Sequence, residues 1–286
     1  MIDRTRLVGA LADFRADLVR FCAKLNKINT LPVPDHDTGT NLLATVSQIL
    51  AAGTLDSTQE TQCENPEIYE TFGNSGILIG AWLEGAQKSI EAPVSISQMT
   101  AAAAGEVERT IVCPQPGLFL DYAIRSADLL GKANPDVLHD ETAIIGDDLR
   151  MLLIETASEA PELHQLVDSG STGLYFLLKR LLFTCPDSAD EDLFESWAQE
   201  PLTGASADDE LVEFMFTVED APRNHILAVL SRFSVESVML GRSSHGGIRA
   251  HCHGPKYIAA DLYDSLATSS RMDDFHIRQV YQEDLP

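Results

Sequence analysis

The spacing of apolar residues changes along the chain, and this change constrains the fold more than any other feature. Up to about residue 185, apolar residues recur every three or four positions, which is typical of amphipathic helices. Helices are predicted over residues 4–26, 42–52, 75–90, 96–111, 118–131, 141–159, 162–168 and 172–184, with Ser97 and Asp140 as candidate N-cap residues. After residue 210, β-rich runs alternate with helical runs. The sequence therefore predicts a helical domain over residues 1–185 and an α+β domain over residues 210–286.

The second domain is predicted to be an α+β two-layer sandwich. Strands are predicted over residues 213–218, 237–241, 247–252 and 276–281, and helices over residues 223–233 and 257–266. The order strand–helix–strand–strand–helix–strand is that of a split βαβ fold. Residues 186–209, between the two domains, are rich in Asp and Glu and contain no Lys or Arg. We interpret them as a solvated acidic connector.

The composition argues against several ligands and environments. The 286 residues include 44 acidic and 20 basic side chains, a net charge of −24. Nucleic acid is disfavoured as the main ligand, because phosphate contacts need clustered Lys and Arg. No run approaches about 18–20 apolar residues, so no membrane span is predicted. The five cysteines are scattered and odd in number, which favours reduced thiols and a cytoplasmic location.

Residues 31–41, LPVPDHDTGTN, form the most informative motif. Asp35 and Asp37 lie two positions apart in a proline-led loop, where alternate side chains point the same way and can hold Mg²⁺. The rest of the motif supplies hydroxyls, close backbone approach and a helix start that favours an anion: Thr38, Gly39, Thr40 and Asn41. The motif predicts a site for Mg²⁺ and phosphate, although a capped turn without a ligand would use the same residue types.

Two further glycine motifs precede predicted helices. The first is GNSG at residues 73–76, and the second is DSGSTG at residues 168–173. Each alone is typical of a turn between helices. Three helix N-termini of this kind in one helical domain favour a shared anion site.

The order and spacing of these motifs resemble the DhaL/Dak2 kinase family, and most closely its fatty acid kinase A branch. The residues that carry the resemblance over residues 1–185 are Asn26-Lys27-Ile28-Asn29, PVPDHDTGTN, GNSG and DSGSTG. Residues 213–214 and 248–255 resemble the middle domain of the same branch. The resemblance implies an all-α eight-helix barrel that binds ATP or ADP with two Mg²⁺ ions and transfers the γ-phosphoryl group.

The resemblance also implies roles for individual residues. Asp35 and Asp37 would be the Mg²⁺ ligands of the catalytic centre. The residues that would bind or close over the nucleotide are Asn29, Thr38, Gly39, Thr40, Asn41, Gly73, Asn74, Ser75, Gly76, Gly117, Asp168 and Gly170. His251 and His253 point to the same side of a predicted strand and could bind Zn²⁺, with His245 or Glu213 as a third ligand. Cys252 points to the opposite face.

Four positions depart from the family pattern. They are His36 for a glycine, Phe72 for an arginine, Leu118 for a threonine and Leu211 for a zinc-binding cysteine. The losses at Phe72 and Leu118 predict weaker contacts with phosphate and nucleotide. The fatty acid kinase A branch also continues into a C-terminal domain, so we expect this chain to be either a fragment or a compact relative.

The leading prediction is an ATP- and Mg²⁺-dependent phosphotransferase acting on an acyl carboxylate, such as a fatty acid, presented by a separate lipid-carrying protein. One alternative is a dihydroxyacetone-kinase-like subunit acting on a small hydroxyl substrate. The other is a non-catalytic nucleotide-binding or scaffold protein. A carboxylate acceptor is already deprotonated, whereas a hydroxyl acceptor would need a general base. A homodimer is expected from the resemblance.

Overall fold

The computed structural model describes residues 1–29, 36–53, 73–112, 114–133, 142–159, 167–183, 211–243 and 247–279. Up to residue 183 the described chain is helical. Its helices are α1 (Arg4–Lys27), α2 (Thr38–Ala52), α3 (Gly73–Ser89), α4 (Ile96–Thr110), α5 (Phe119–Lys132), α6 (Thr142–Ser158) and α7 (Ser169–Leu182). The prediction of a helical part followed by a smaller part that contains strands is confirmed, and the strands of that part form an antiparallel sheet. The closed barrel stays a prediction.

Helix ends depart from the predicted positions where local hydrogen bonds decide them. The helix predicted from residue 42 begins at Thr38, because the Asn41 backbone N–H donates to the Asp37 carbonyl at 2.9 Å and closes the first turn inside the motif. The predicted cap of α4, Ser97, is wrong. Ser95 caps this helix through a reciprocal capping box with Gln98. The predicted helix over 162–168 lies mostly outside the described residues, as do the predicted cap Asp140 and the acidic connector.

The helical part has its own apolar core. Leu7, Leu11, Phe14 and Leu18 recur along one face of α1 and are fully buried. Phe21 of α1 stacks on Phe176 of α7, with ring centroids 5.2 Å apart. Within the described residues, no helix combines the length and the apolar character needed to span a bilayer.

The second part follows the predicted order of elements. It consists of β1 (Leu211–Glu219), α8 (Arg223–Leu230), β2 (Glu236–Arg242), β3 (Ile248–Pro255), α9 (Ala259–Ala267) and β4 (Arg271–Gln279). The strands form one antiparallel sheet in the order β2-β3-β1-β4. The last strand begins at Arg271, five residues before the predicted start. It is an edge strand, and its polar first half lacks the apolar alternation on which the prediction relied.

The two faces of the sheet have different neighbours. On one face, Phe214 and Phe216 of β1 and Cys252 of β3 join a second apolar core. That core includes Ile226 of α8 and Leu262 of α9, so the two helices cover this face. The other face lies towards the helical part. Ile111, just after α4, forms a bridge with Met239 of β2, and a Cβ on Gly241 of β2 would lie 3.3 Å from Ile77 of α3.

Candidate functional site

The N-termini of α2, α3 and α7 meet at one place in the helical part. The Thr38 hydroxyl at the start of α2 lies 2.9 Å from the Ser169 hydroxyl at the start of α7. Ser75 in the first turn of α3 donates to the Thr38 carbonyl at 3.5 Å. The three motifs that predicted a shared anion site therefore lie together, and their helix dipoles all present positive ends there.

Two glycines permit this close approach. A side chain on Gly39 would collide with the Cys22 carbonyl of α1, and one on Gly73 would collide with the Asn41 amide of α2. Gly73 also has a φ of +56°, a conformation that glycine adopts at little cost. Two more glycines pack α2 tightly against α3 and α7: Gly76 and Gly173. These positions set the spacing of the helices that carry the site.

The end of α1 fixes the start of α2 through Asn26. Its side-chain amide donates to the Thr40 hydroxyl at 3.0 Å and accepts from the Thr40 backbone N–H at 3.2 Å. His36 has a φ of +54°, in the left-handed region that favours glycine, and its Nδ1 donates to the Asn26 carbonyl at 3.1 Å. His36, which replaces the glycine of the family pattern, therefore adopts the backbone conformation that a glycine favours. Thr40, predicted to line phosphate, is held by α1.

Asn29 also contributes to the cluster. The Ser169 hydroxyl donates to its side-chain oxygen at 3.3 Å, which leaves Thr38 as the donor to Ser169. These three side chains are buried, and they form a continuous chain of hydrogen bonds from α2 through α7 to the end of α1. Sequence positions separated by 140 residues therefore meet at one site.

Asp37 is buried at the start of α2. It occupies the N-cap position, but its side chain makes no capping hydrogen bond, so the carboxylate is directed elsewhere. One of its oxygens accepts from Nη1 of Arg278 on β4 at 3.3 Å. A buried carboxylate that already faces a cationic group fits the part of a Mg²⁺ ligand. Its predicted partner, Asp35, lies outside the described residues.

Asp168 has a structural task in the same cluster. It caps α7, and its carboxylate accepts from the Ser171 backbone N–H at 2.7 Å and from the Ser171 hydroxyl at 2.6 Å. Burial raises the pKa of Asp168, although the hydrogen bonds from Ser171 oppose that shift. A Cβ on Gly170 would lie 3.3 Å from both Asp168 and Phe119, so the start of α5 borders this end of the cluster.

Gly117 lies in the turn before α5. It has a φ of +80°, and its backbone N–H donates to the Asp121 carboxylate at 2.7 Å, which braces the first turn of that helix. The contact of Phe119 with Gly170 connects this turn to α7, whereas none of the described hydrogen bonds joins Gly117 itself to Asp37 or Thr38. Gly117 therefore borders the cluster without belonging to its hydrogen-bonded centre.

The sheet contributes a contact that sequence reasoning missed. His251 of β3 lies between Asn74 at the start of α3 and Glu213 of β1. Its Nε2 donates to Glu213 Oε1 at 2.5 Å, and its Nδ1 contacts the Asn74 side-chain oxygen. Burial would raise the pKa of Glu213, but the hydrogen bond and charge of His251 outweigh it and lower that pKa. The GNSG motif is thus tied directly to the polar face of the sheet.

The same contacts bear on the predicted zinc site. The rings of His251 and His253 lie edge to face, 4.8 Å apart. Both ring nitrogens of His251 already face protein atoms, and no group of three or more metal-binding side chains is found among the described residues. His245 lies outside them. The described residues alone therefore do not complete a zinc-binding set, and the zinc site stays a prediction; Cys252 is buried on the opposite face. Burial, reinforced by His251, lowers the pKa of His253 to about 3.

Comparison of the chain with protein-family models and with curated proteins gives no match. The site must therefore be interpreted from its own chemistry. It combines three positive helix ends, hydroxyl and amide groups, and a buried carboxylate beside an arginine. Such a set can bind an anion at the helix ends and a cation at the carboxylate.

Proposed function

We propose that this chain is an ATP- and Mg²⁺-dependent phosphotransferase of the DhaL/Dak2 type. An acyl carboxylate presented by a separate carrier protein is the proposed acceptor. The observation that carries the proposal is the meeting of the α2, α3 and α7 N-termini around Asp37. Backbone N–H groups at helix ends bind phosphate oxygens, and a carboxylate beside them needs a cation when a triphosphate arrives.

Each part of the cluster has a task in the proposed reaction. The first turns of α2 and α3 hold the phosphates. The hydrogen bonds among Thr38, Ser169 and Asn29 keep the first turn of α2 in place, and the bond from Ser75 to the Thr38 carbonyl joins α3 to it. Asp37 holds the metal, with Asp35 as its predicted partner. Mg²⁺, when bound, neutralises phosphate charge. Catalysis of this kind relies on positioning and charge stabilisation rather than on a covalent intermediate.

The proposed acceptor sets a simple chemical balance. A carboxylate oxygen of the acceptor forms a bond to the γ-phosphorus while the bond from that phosphorus to the β–γ bridging oxygen breaks. The products are an acyl phosphate and ADP. Because the acceptor is already deprotonated at neutral pH, no residue of this chain has to remove a proton.

Nucleotide binding tests the site directly. We expect wild-type protein to bind the non-hydrolysable ATP analogue AMP-PNP in a Mg²⁺-dependent manner in titration calorimetry. Asp37→Asn should weaken that binding at least tenfold, because it removes the charge that holds the metal. Asp3→Asn is the matched control: Asp3 caps α1, is exposed, and asparagine is an equally good cap. Equal binding by all three proteins would contradict the assignment of Asp37.

Turnover separates the proposed reaction from its alternatives. ADP release and trapping of acyl phosphate with hydroxylamine should be measured with oleate and a candidate lipid-carrying protein, and ADP release with dihydroxyacetone. Oleate-dependent hydroxamate formation supports the proposal. Dihydroxyacetone-dependent ADP release would favour the hydroxyl-kinase alternative. Nucleotide binding without turnover on either acceptor would favour the non-catalytic alternative.

A further inference from the structure

Arg278 brings a positive charge from the sheet to the start of α2. It lies on β4, the edge strand, where its backbone is paired with Glu213 of β1. Its guanidinium donates to Asp37 Oδ2 at 3.3 Å, across 241 positions of sequence. None of the residues predicted to bind the nucleotide is basic. Arg278 therefore supplies a type of charge that those residues lack.

The surroundings of the two partners are unequal. The Asp37 side chain is 11% exposed, whereas the Arg278 side chain is 64% exposed. The contact is a single long hydrogen bond rather than a bidentate pair. A solvated arginine held by one such bond gives up little when it changes partner. The buried carboxylate stays fixed at the N-cap of α2 while the arginine can turn from it to another anion nearby.

We propose that Arg278 is a γ-phosphate-binding residue, which pairs with Asp37 in the free protein and turns to the terminal phosphate of bound nucleotide. This inference rests on the proposed function. The arginine would give up Asp37 to a bound metal ion, since both are cations for the same carboxylate. The displaced guanidinium then faces an anion held at the adjacent helix ends, where arginine is well suited to phosphate oxygens.

The γ-phosphate is the part of the nucleotide that distinguishes ATP from ADP, so the test compares the two. Titration calorimetry with Mg²⁺ should measure AMP-PNP and ADP binding to wild type and to Arg278→Ala. We expect Arg278→Ala to lose about tenfold to a hundredfold in AMP-PNP affinity, the range for a hydrogen bond to a charged group. ADP affinity should change less than about threefold, on the expectation that no γ-phosphate contact is lost.

Arg271→Ala is the matched control. Arg271 lies on the same strand and pairs with Glu219 at 3.2 Å, so its removal deletes the same charge from β4 without touching Asp37. It should leave the ratio of AMP-PNP to ADP affinity unchanged. Arg278→Gln keeps a hydrogen-bonding side chain, and should lose the same selectivity if Arg278→Ala does not fold. Arg278→Lys should retain part of it, because it keeps the charge but not the planar fork.

An unchanged ratio of AMP-PNP to ADP affinity in Arg278→Ala and Arg278→Gln would overturn the inference. This outcome includes an equal loss of affinity for both nucleotides, which indicates a purely structural role. These outcomes leave the proposed function standing, because wild type still binds nucleotide. Failure of wild type to bind either nucleotide would instead overturn the proposed function, and the inference with it.

Discussion

The two faces of the β-sheet are both buried, but for different physical reasons. The face that carries Phe214, Phe216 and Cys252 is apolar and is covered by α8 and α9. The opposite face buries Glu213, His251 and His253 against the helical part. Burial of apolar area explains the first face, since it stabilises the folded chain. Burial of ionisable groups costs free energy unless each is paired, so the second face needs another explanation.

The explanation that we favour is functional. The polar face is the one that reaches Asn74 and, through Arg278, Asp37. The comparison of the faces therefore separates residues that stabilise the sheet from residues that join it to the candidate site. Substitutions on the apolar face should change stability alone, whereas substitutions on the polar face should change nucleotide binding as well.

The largest effect is expected on the apolar face. Phe216 is buried and stacks on Phe275, with ring centroids 5.8 Å apart. Phe216→Ala should lower the free energy of unfolding by about 4 kcal/mol through lost burial and a cavity, measured by urea denaturation. Tyr257→Ala, at a position 77% exposed, is the aromatic control and should change it by less than about 0.5 kcal/mol. The AMP-PNP affinity of folded Phe216→Ala should be unchanged. A weakened affinity would contradict the expectation that the apolar face affects stability alone.

A smaller effect on stability, with a separate effect on binding, is expected on the polar face. Glu213→Leu leaves a buried nitrogen of His251 without its acceptor and should lower the free energy of unfolding by about 3 kcal/mol. The double variant Glu213→Leu/His251→Leu replaces the pair with apolar side chains and should recover most of that loss. The double variant should nevertheless bind AMP-PNP more weakly than wild type, because Asn74 has lost its contact with His251. Full recovery of affinity in the double variant would make the polar face merely structural.

The smallest effect is a pH dependence centred on His253. Its pKa is about 3 in the folded protein, against an ordinary value of 6.5, so the unfolded chain binds the extra proton as pH falls. Its contribution to stability is fully present above pH 6.5 and is lost as pH falls towards 3. The slope should approach about 1.4 kcal/mol per pH unit.

Urea denaturation between pH 6.5 and 5.0 measures that slope. The lowered pKa of Glu213 acts in the same direction but only below its ordinary value of 4.5, which lies outside this interval. His253→Gln should flatten the curve relative to wild type. His276→Gln, which removes an exposed histidine on β4, should not. Parallel curves for wild type and His253→Gln would place the proton uptake at another group.

Much of the fold could be predicted from local sequence, because local sequence determines it. The buried face of α1 and the alternation of β1 are periodic signals, and α1 and β1 formed within about two residues of their predicted bounds. The predicted bounds are wrong where a single hydrogen bond fixes the start of a helix or where a strand lies at the edge of the sheet. Ser95 rather than Ser97 caps α4 because Gln98 can return the bond. The polar start of β4 was missed because an edge strand needs little apolar alternation.

The candidate site was predictable only in its helical half. The three motifs identified helix N-termini, but the contact of Asn74 with His251 joins residues 177 positions apart, and no local pattern reports it. One signal did exist: Glu213, His251 and His253 are polar residues inside apolar strands. Such residues must find partners when buried, although the sequence does not say which. No sequence feature marked Arg278 as a residue of the site, since an exposed arginine on an edge strand is ordinary.

The separation of Asp37 and Arg278 along the chain also has a consequence for biosynthesis. A ribosome completes Arg278 only after adding 241 residues beyond Asp37, which takes roughly 10–50 s at ordinary elongation rates. The core formed by α1 to α7 contains few residues from beyond residue 183, so the nascent helical part can assemble most of its packing early. The ion pair with β4 forms only afterwards. A growing polypeptide can therefore fold its helices before it acquires the arginine that we propose selects its nucleotide.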